Sequence, residues 1–250
     1  MARGLAYAEA CFETMRVIHG HVFAWQEHMQ RLQCGLQEYG YSIAEEDIKA
    51  LHQQVLQAAA KVAEDALVRI TAGGGEAAWG LSQTSHCVQI DVQAMPVSHP
   101  AEIHLQSLQA DDLSHLPRSA KFTADYALCL RWLGKQSLSE GGMPLLCDDR
   151  SVLSGLTANV LIRRQDQWFT PVLRRGILPG LVRAALVRSG HVQERTCPVS
   201  WLKDCDAMML SNCGFFLLPV QSIDGRDLPT EIPAMTGLRD ALRAYQGVSL

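Results

Sequence analysis

Apolar positions change their period in a readable order along the first part of the chain. Residues Cys11-Phe-Glu-Thr-Met-Arg-Val-Ile18 alternate, His19-Gly20 turns, and His21-Val-Phe-Ala-Trp25 resumes, which predicts two strands around a hairpin turn. Met29, Leu32 and Leu36 then fall at helical spacing over residues 26–39, with Gly40 as the stop. Ile48, Leu51, Val55, Leu56 and Val62 repeat that period over residues 44–64. Ala66-Leu-Val-Arg-Ile-Thr71 and Cys87-Val-Gln-Ile-Asp-Val92 read as strands joined across a glycine-rich turn. The stretch 94–120 carries Pro100 and Pro117 and little period, as a strand followed by an interdomain connection would.

Beyond it, residues 122–134 are helical in pattern, and Leu145-Leu-Cys-Asp148, Ser151-Val-Leu153, Val160-Leu-Ile-Arg163 and Trp168-Phe-Thr170 are short strands. A helix is predicted from about Leu181 to Ser189, and a strand–turn–strand from Ala207 to Ile223. The pattern predicts a mixed α/β fold. A smaller N-terminal α/β domain covers residues 1–105, a connection 106–120, and a larger C-terminal α/β domain 121–250.

Composition narrows the function classes. The 250 residues can bury a sizeable core, and 48% apolar with 19% charged residues is a globular balance. The net charge is −4 and the arginines are scattered, so neither nucleic acid nor a membrane surface is an expected partner. No apolar run reaches about 18 residues, and Met-Ala-Arg-Gly-Leu-Ala-Tyr has no long apolar core, so neither a membrane span nor a signal peptide is expected. The eight cysteines form no Cys-x-x-Cys pair, and Cys197, Cys205 and Cys213 lie too far apart in sequence for one chelate arm. They read as buried thiols of a reducing, cytoplasmic compartment, and no metal site is expected.

Three segments carry candidate chemistry. Arg118-Ser-Ala-Lys-Phe-Thr-Ala-Asp-Tyr126 places one of only five lysines, Lys121, at the mouth of an apolar helical run. It is either a solvated first-turn residue or a reactive amine. Ile177-Leu-Pro-Gly-Leu-Val-Arg183 is an ordinary Pro-Gly helix start that also leaves the amides of Leu181 and Val182 at the positive end of a helix, an anion site suited to phosphate. Arg31, on the first helix, could add a bidentate charge to the same anion or simply be solvated. Gly73-Gly-Gly-Glu-Ala-Ala-Trp-Gly80 has no P-loop lysine and reads as a loose hairpin turn.

In this order the pieces resemble a known family. Arg3-Gly-Leu-Ala-Tyr-Ala-Glu-Ala-Cys-Phe-Glu-Thr14, Glu27-His-Met-Gln-Arg31-Leu, Val68-Arg-Ile-Thr71, Lys121, Asn159, Phe169-Thr-Pro171, Leu178-Pro-Gly-Leu-Val-Arg183, Leu210-Ser-Asn-Cys213 and Leu218-Pro-Val220 are similar, collinearly over nearly the whole chain, to class IV aminotransferases. The resemblance implies the two-domain α/β fold of fold-type IV enzymes, pyridoxal 5'-phosphate between the domains, a small-molecule substrate and a homodimer. It implies that Lys121 pairs covalently with the cofactor aldehyde, so its amine must lose its proton well below the ordinary value of about 10.4. Tyr126 matches the tyrosine on the cofactor's phenolic oxygen. Arg31, the amides of Leu181 and Val182, and Asn212-Cys213 match the phosphate cradle.

Departures from the pattern matter as much. The family places a glutamate on the pyridine nitrogen where this chain has Ser154, which cannot hold a pyridinium by charge. The strand-turn arginines that hold a substrate carboxylate are replaced by Ala72 and by Ala77-Ala-Trp79, which leaves Arg118 or a subunit partner as an alternative. The chain begins inside the family's opening motif, whose Gly-Asp-Gly has become Ala8-Glu9-Ala10. Cys-Phe-x-Thr-x-Arg-Val-Ile-x-Gly and His-x-Gln-Arg-Leu-Gln resemble the aminodeoxychorismate lyase branch most. That implies conversion of 4-amino-4-deoxychorismate to 4-aminobenzoate and pyruvate, in folate synthesis. A branched-chain or D-amino-acid aminotransferase, and a degenerate member without turnover, stand as alternatives.

Overall fold

The computed structural model describes residues 2–81, 87–114, 116, 118–138 and 142–246, so Pro117 of the expected connection lies outside the described residues. Contacts divide the chain into two compact units, one of Met1–Val97 with Arg118–Leu128, the other of Ser98–Pro117 with Cys129–Leu250.

The first unit begins with α1 (Arg3–Tyr7), β1 (Ala10–Ile18), β2 (His21–Val22), α2 (Trp25–Glu38), α3 (Glu45–Ala60), β3 (Asp65–Gly74) and β4 (Val88–Pro96). The strands form one antiparallel sheet in the order β2-β1-β3-β4. His19 and Gly20, with φ of 47° and 76°, both adopt the left-handed conformation a tight hairpin needs. The second strand of that hairpin is shorter than its sequence pattern. Ala24 takes φ 52° as the residue before α2, and Trp25 is already helical.

Strand alternation gives the sheet two different faces. Cys11, Met15, Val17, Val68, Ile70 and Ala72 meet Met29, Leu32 and Leu36 of α2 and Leu51, Val55 and Ala59 of α3 in one core. Phe12, Thr14, Arg69 and Thr71 are cross-strand partners on the other face, with Phe12 opposite Thr71 and Thr14 opposite Arg69. The glycines expected in a loose turn are tightly packed where they leave β3. A Cβ on Gly73 would stand 2.4 Å from the Glu9 carbonyl, so only glycine lets the opening segment lie against β3 there.

The second unit adds β5 (His104–Gln109), α4 (Asp111–Ser114) and the later part of α5 (Thr123–Leu133), whose first turns belong to the first unit. It continues with β6 (Gly142–Cys147), β7 (Val152–Gly155), β8 (Asn159–Arg164), β9 (Gln167–Pro171), α6 (Leu181–Arg188) and β10 (Gln193–Arg195). A 3₁₀ turn at Val199–Lys203, β11 (Ala207–Asn212), β12 (Phe216–Pro219), β13 (Ser222–Ile223), β14 (Arg226–Asp227) and α7 (Pro233–Gln246) complete it. Its strands form two five-stranded sheets, ordered β10-β9-β8-β11-β12 and β14-β13-β5-β6-β7. Leu105, Leu145 and Val152 of one sheet share a core with Val160, Ile162, Met208 and Leu210 of the other.

Two features differ from the sequence expectation. The segment expected as a connection, 106–120, holds most of β5, which pairs in parallel with β6 and β13. Leu105 lies in one core and Leu108 against another, so the two leucines of His-Leu-Gln-Ser-Leu-Gln point to opposite faces and the strand lacks the alternation that marks a half-buried one. The helix α7 was not expected, although its buried Met235, Leu238 and Leu242 have helical spacing.

Leu36 is fully buried between α2 and the sheet. Leu36→Ala should therefore lower stability by about 2–5 kcal/mol, read as a shifted urea midpoint at unchanged slope. A midpoint equal to wild type would remove this core as the organiser of the first unit.

Candidate active site

The position of Lys121 begins with its backbone. The Phe12 N–H donates to the Lys121 carbonyl at 2.9 Å, and Cys11 bridges Phe122 as a short antiparallel pair. Phe122 enters the helix-side core beside Cys11, so alternation sends Lys121 to the face that carries Phe12. Its Nζ stands 5.5 Å from the centre of the Phe12 ring. The Thr123 hydroxyl, 2.8 Å from the Ala8 carbonyl and 3.0 Å from that of Ala10, fastens the start of α5 to the opening segment. One turn on, Tyr126 meets Phe12 edge to face, with ring centres 4.7 Å apart. The sequence-predicted pair Lys121 and Tyr126 is thus brought together on one ring. On the sheet face that carries Phe12, a cavity of about 340 Å³ is lined by Ala10, Thr71, Gly73, Gly74 and Thr123, a size for a small molecule.

Arg31 is placed by a residue that sequence reasoning did not single out. Glu13 projects from β1 toward the helices and is buried with Arg31 and His28 of α2. Arg31 donates Nε to Oε1 and Nη2 to Oε2 of Glu13, each at 2.7 Å, and His28 Nδ1 lies 2.7 Å from Oε2. Burial alone would raise the carboxyl's pKa. The Arg31 guanidinium outweighs that, with His28 adding to it, and holds Glu13 well below its ordinary value. An acid at position 13, on the same strand face as the apolar Cys11 and Met15, was the available signal. Arg118, the expected alternative for a substrate carboxylate, is buried near Asp125. Burial raises the Asp125 pKa, Arg118 opposes that, and Glu38 adds to it.

The remaining predicted residues gather in the second unit. Gly180 precedes α6 without any side-chain cap, so the first-turn amides of Leu181 and Val182 keep their donor capacity. Asn159 fixes this corner. Its Nδ2 donates to the Leu178 carbonyl at 2.9 Å, and a Cβ on Gly180 would fall 1.9 Å from its Oδ1. Across the sheet Asn159 pairs with Ser211, which leads into the Asn212-Cys213 turn. There the Asn212 Oδ1 accepts the N–H groups of Gly214 and Phe215 at 2.8 and 3.1 Å, so this side chain shapes the turn. Cys213 is buried beside it.

Two hydroxyls in this unit are conspicuous. Ser154, on β7 opposite Leu146, and Ser211 are both buried, and neither Oγ has a hydrogen-bond partner among the described residues. A buried donor left unmet is costly, so such atoms mark places built to meet a ligand or water. Uncapped helix amides, two unmet hydroxyls and a glycine whose Cβ would displace the Asn159 side chain fit an anionic group carrying a polar ring.

The profile of the amino-transferase class IV family matches residues 10–223. The D-alanine aminotransferase of Bacillus licheniformis is 22% identical over 245 residues, 92% of this chain and 84% of that protein. The structure of 4-amino-4-deoxychorismate lyase from Pseudomonas aeruginosa is similar with a TM-score of 0.77 at 23% identity, covering 99% of this chain and 94% of that one. A hypothetical aminotransferase from Mycobacterium tuberculosis, in its PLP-bound form, gives 0.77 at 21% identity, covering 98% and 91%. At these identities the solved structures support the two-domain α/β fold, whereas the profile identifies the family.

The Glu13 network makes a pH-dependent prediction. Its carboxyl is depressed below its ordinary 4.5, so the pairing stabilises fully above that pH and is lost as acid protonates the group. Wild-type urea midpoints should fall as pH drops below roughly 4.5, whereas Glu13→Gln should be less stable at neutral pH and show a shallower acid slope. Equal slopes in the two proteins would mean that Glu13 is not ionised in the folded state.

Proposed function

Because this chain belongs to the class IV amino-transferase family, whose members are pyridoxal-phosphate enzymes, we propose that it is a lyase that converts 4-amino-4-deoxychorismate to 4-aminobenzoate and pyruvate. The observation that carries the reading is Ser154. A buried hydroxyl stands where the family resemblance sets a carboxylate, and it can meet a ring nitrogen by hydrogen bond but cannot hold it charged. Transamination requires a long-lived carbanion, whereas an elimination that makes an aromatic ring discharges it at once. The opening and first-helix motifs favour the same branch.

When bound, the cofactor supplies an aldehyde for the substrate amine and a ring that takes up the electron pair left by the departing α-proton. The amides of Leu181 and Val182 bind its phosphate, with the Asn212-Cys213 turn, and Asn159 holds the corner in shape. Arg31 adds positive charge from the position in which Glu13 holds it. The Lys121 Nζ would take the proton from the amine-bearing carbon, the enolpyruvyl oxygen would leave with its bonding pair as the ring becomes aromatic, and the enolpyruvate would take up a proton to become pyruvate. The Phe12 ring lies beside that amine, and Tyr126 packs edge-on against the ring.

A second reading, an aminotransferase of branched-chain or D-amino acids, is favoured by Tyr126, which the resemblance assigns to aminotransferase members. We also propose a cytoplasmic homodimer. Leu5, Trp79 and Leu81 expose large apolar side chains on the first unit, a surface that a second copy would cover.

Incubation of the purified protein with 4-amino-4-deoxychorismate should yield 4-aminobenzoate and pyruvate in equal amounts, and Lys121→Ala should abolish both. Absence of both products from wild type, with keto-acid-dependent amino exchange in their place, would move the assignment to the aminotransferase. Gly180→Ala should weaken pyridoxal-phosphate binding at least about tenfold, by fluorescence titration, because the added methyl collides with Asn159. Unchanged affinity would place the phosphate elsewhere.

A further inference from the structure

The cavity on the Phe12 face of the first unit's sheet has one charged wall. Asp91 of β4 stands opposite Thr71 of β3, and Thr71 stands opposite Phe12 of β1, so the three form one row across the sheet. Neighbouring strands lie about 4.8 Å apart, which makes the row about 10 Å long from acid to ring. Asp91, Gln89 and Thr71 give the cavity a polar wall, whereas Ala2, Leu5 and Ala10 are apolar. The Thr123 hydroxyl, also on the wall, is engaged with the Ala8 and Ala10 carbonyls. Among the described residues that line the cavity, Asp91 alone is charged.

An acid on an edge strand ordinarily guards that edge, and β4 is an edge strand. Asp91 differs because it faces a cavity with acceptor capacity to spare. Gln93 donates Nε2 to its Oδ2 at 2.8 Å, and its Oδ1 takes no donor among the described residues. Arg69, diagonal to it on β3, has its guanidinium carbon 3.8 Å from the centre of the Phe12 ring. The one polar contact of that arginine is Nε to the Thr71 hydroxyl at 3.4 Å. Its charge is therefore turned to the ring end of the row, and the acid end stays negative.

We propose that this cavity binds a small molecule carrying a protonated nitrogen, with the cationic group on Asp91 and Gln89 and the body over Thr71. A guanidinium or ammonium group supplies several N–H donors to the carboxylate, and the Gln89 side-chain oxygen can accept a further one. A short alkyl body suits both the volume and the apolar wall at Leu5 and Ala10. The site goes beyond the reaction proposed above and does not rest on it, since neither the cofactor nor Lys121 takes part in the recognition.

The test is a titration of the isotope-labelled protein, carrying pyridoxal phosphate, with butylguanidinium and with its neutral isostere butylurea, read by amide NMR shifts. Wild type should bind the cation at least about threefold more tightly than the urea, with shifts at Thr71, Gly73 and Gly74. The preference should shrink as ionic strength rises. Asp91→Asn should equalise the two ligands without changing butylurea, and Asp91→Glu should keep part of the preference. No shift with either ligand, shifts centred elsewhere, or equal binding of the two by wild type would each overturn the assignment. So would a preference that survives in Asp91→Asn or is indifferent to salt, or an equal fall for both ligands in that variant.

Discussion

One backbone hydrogen bond, from the Phe12 N–H to the Lys121 carbonyl, sets the chemistry of the first unit. It stitches the residues before α5 to β1 as a short extra strand, and a strand sends neighbouring side chains to opposite faces. Phe122 therefore enters the core beneath the helices, while the Lys121 amine looks onto the Phe12 ring. A slip of one residue would bury the amine among apolar side chains and expose the phenylalanine. The Thr123 hydroxyl on the opening segment holds the same register from the helix side.

The two faces of that sheet treat charge in contrasting ways. On the helix face Glu13 is enclosed with Arg31 and His28, and short contacts satisfy both of its oxygens. A pair of this kind adds little net stability but is strongly disfavoured when broken, so its effect is to fix Arg31 in one orientation. On the opposite face Arg69 has a ring and a distant hydroxyl for company. The first arrangement pins its arginine with a carboxylate of the chain; the second holds its arginine by a ring face, with no ion pair among the described residues.

The second unit applies the same logic to neutral groups. Asn159 spends its amide on Leu178 and its oxygen against Gly180, which holds the start of α6 so that two backbone amides stay available. Ser154 and Ser211 remain without partners although they are buried. Polar atoms kept waiting in a packed interior lower the stability of the unliganded chain and raise the gain on binding.

Much of this was legible in the residue order. Periodicity located β1, α2, α3, β3 and α6 within a few residues, because each has one apolar face and the period of that face differs between helix and strand. The motif series identified the family. What periodicity could not reveal was β5, whose two leucines point to opposite faces among polar residues. Nor could the sequence show that Gly73 is a point of close approach, since that depends on where the Glu9 carbonyl comes to rest. Arg31 and Arg69 look alike in sequence, both arginines on amphipathic segments. Only folding brings a carboxylate to one and an aromatic ring to the other, because the environment of a charge is set by residues distant in the chain. The order of residues therefore determined which elements form and to which family the chain belongs; the packing of those elements decided which charges meet a partner within the chain, because those partners are distant in sequence.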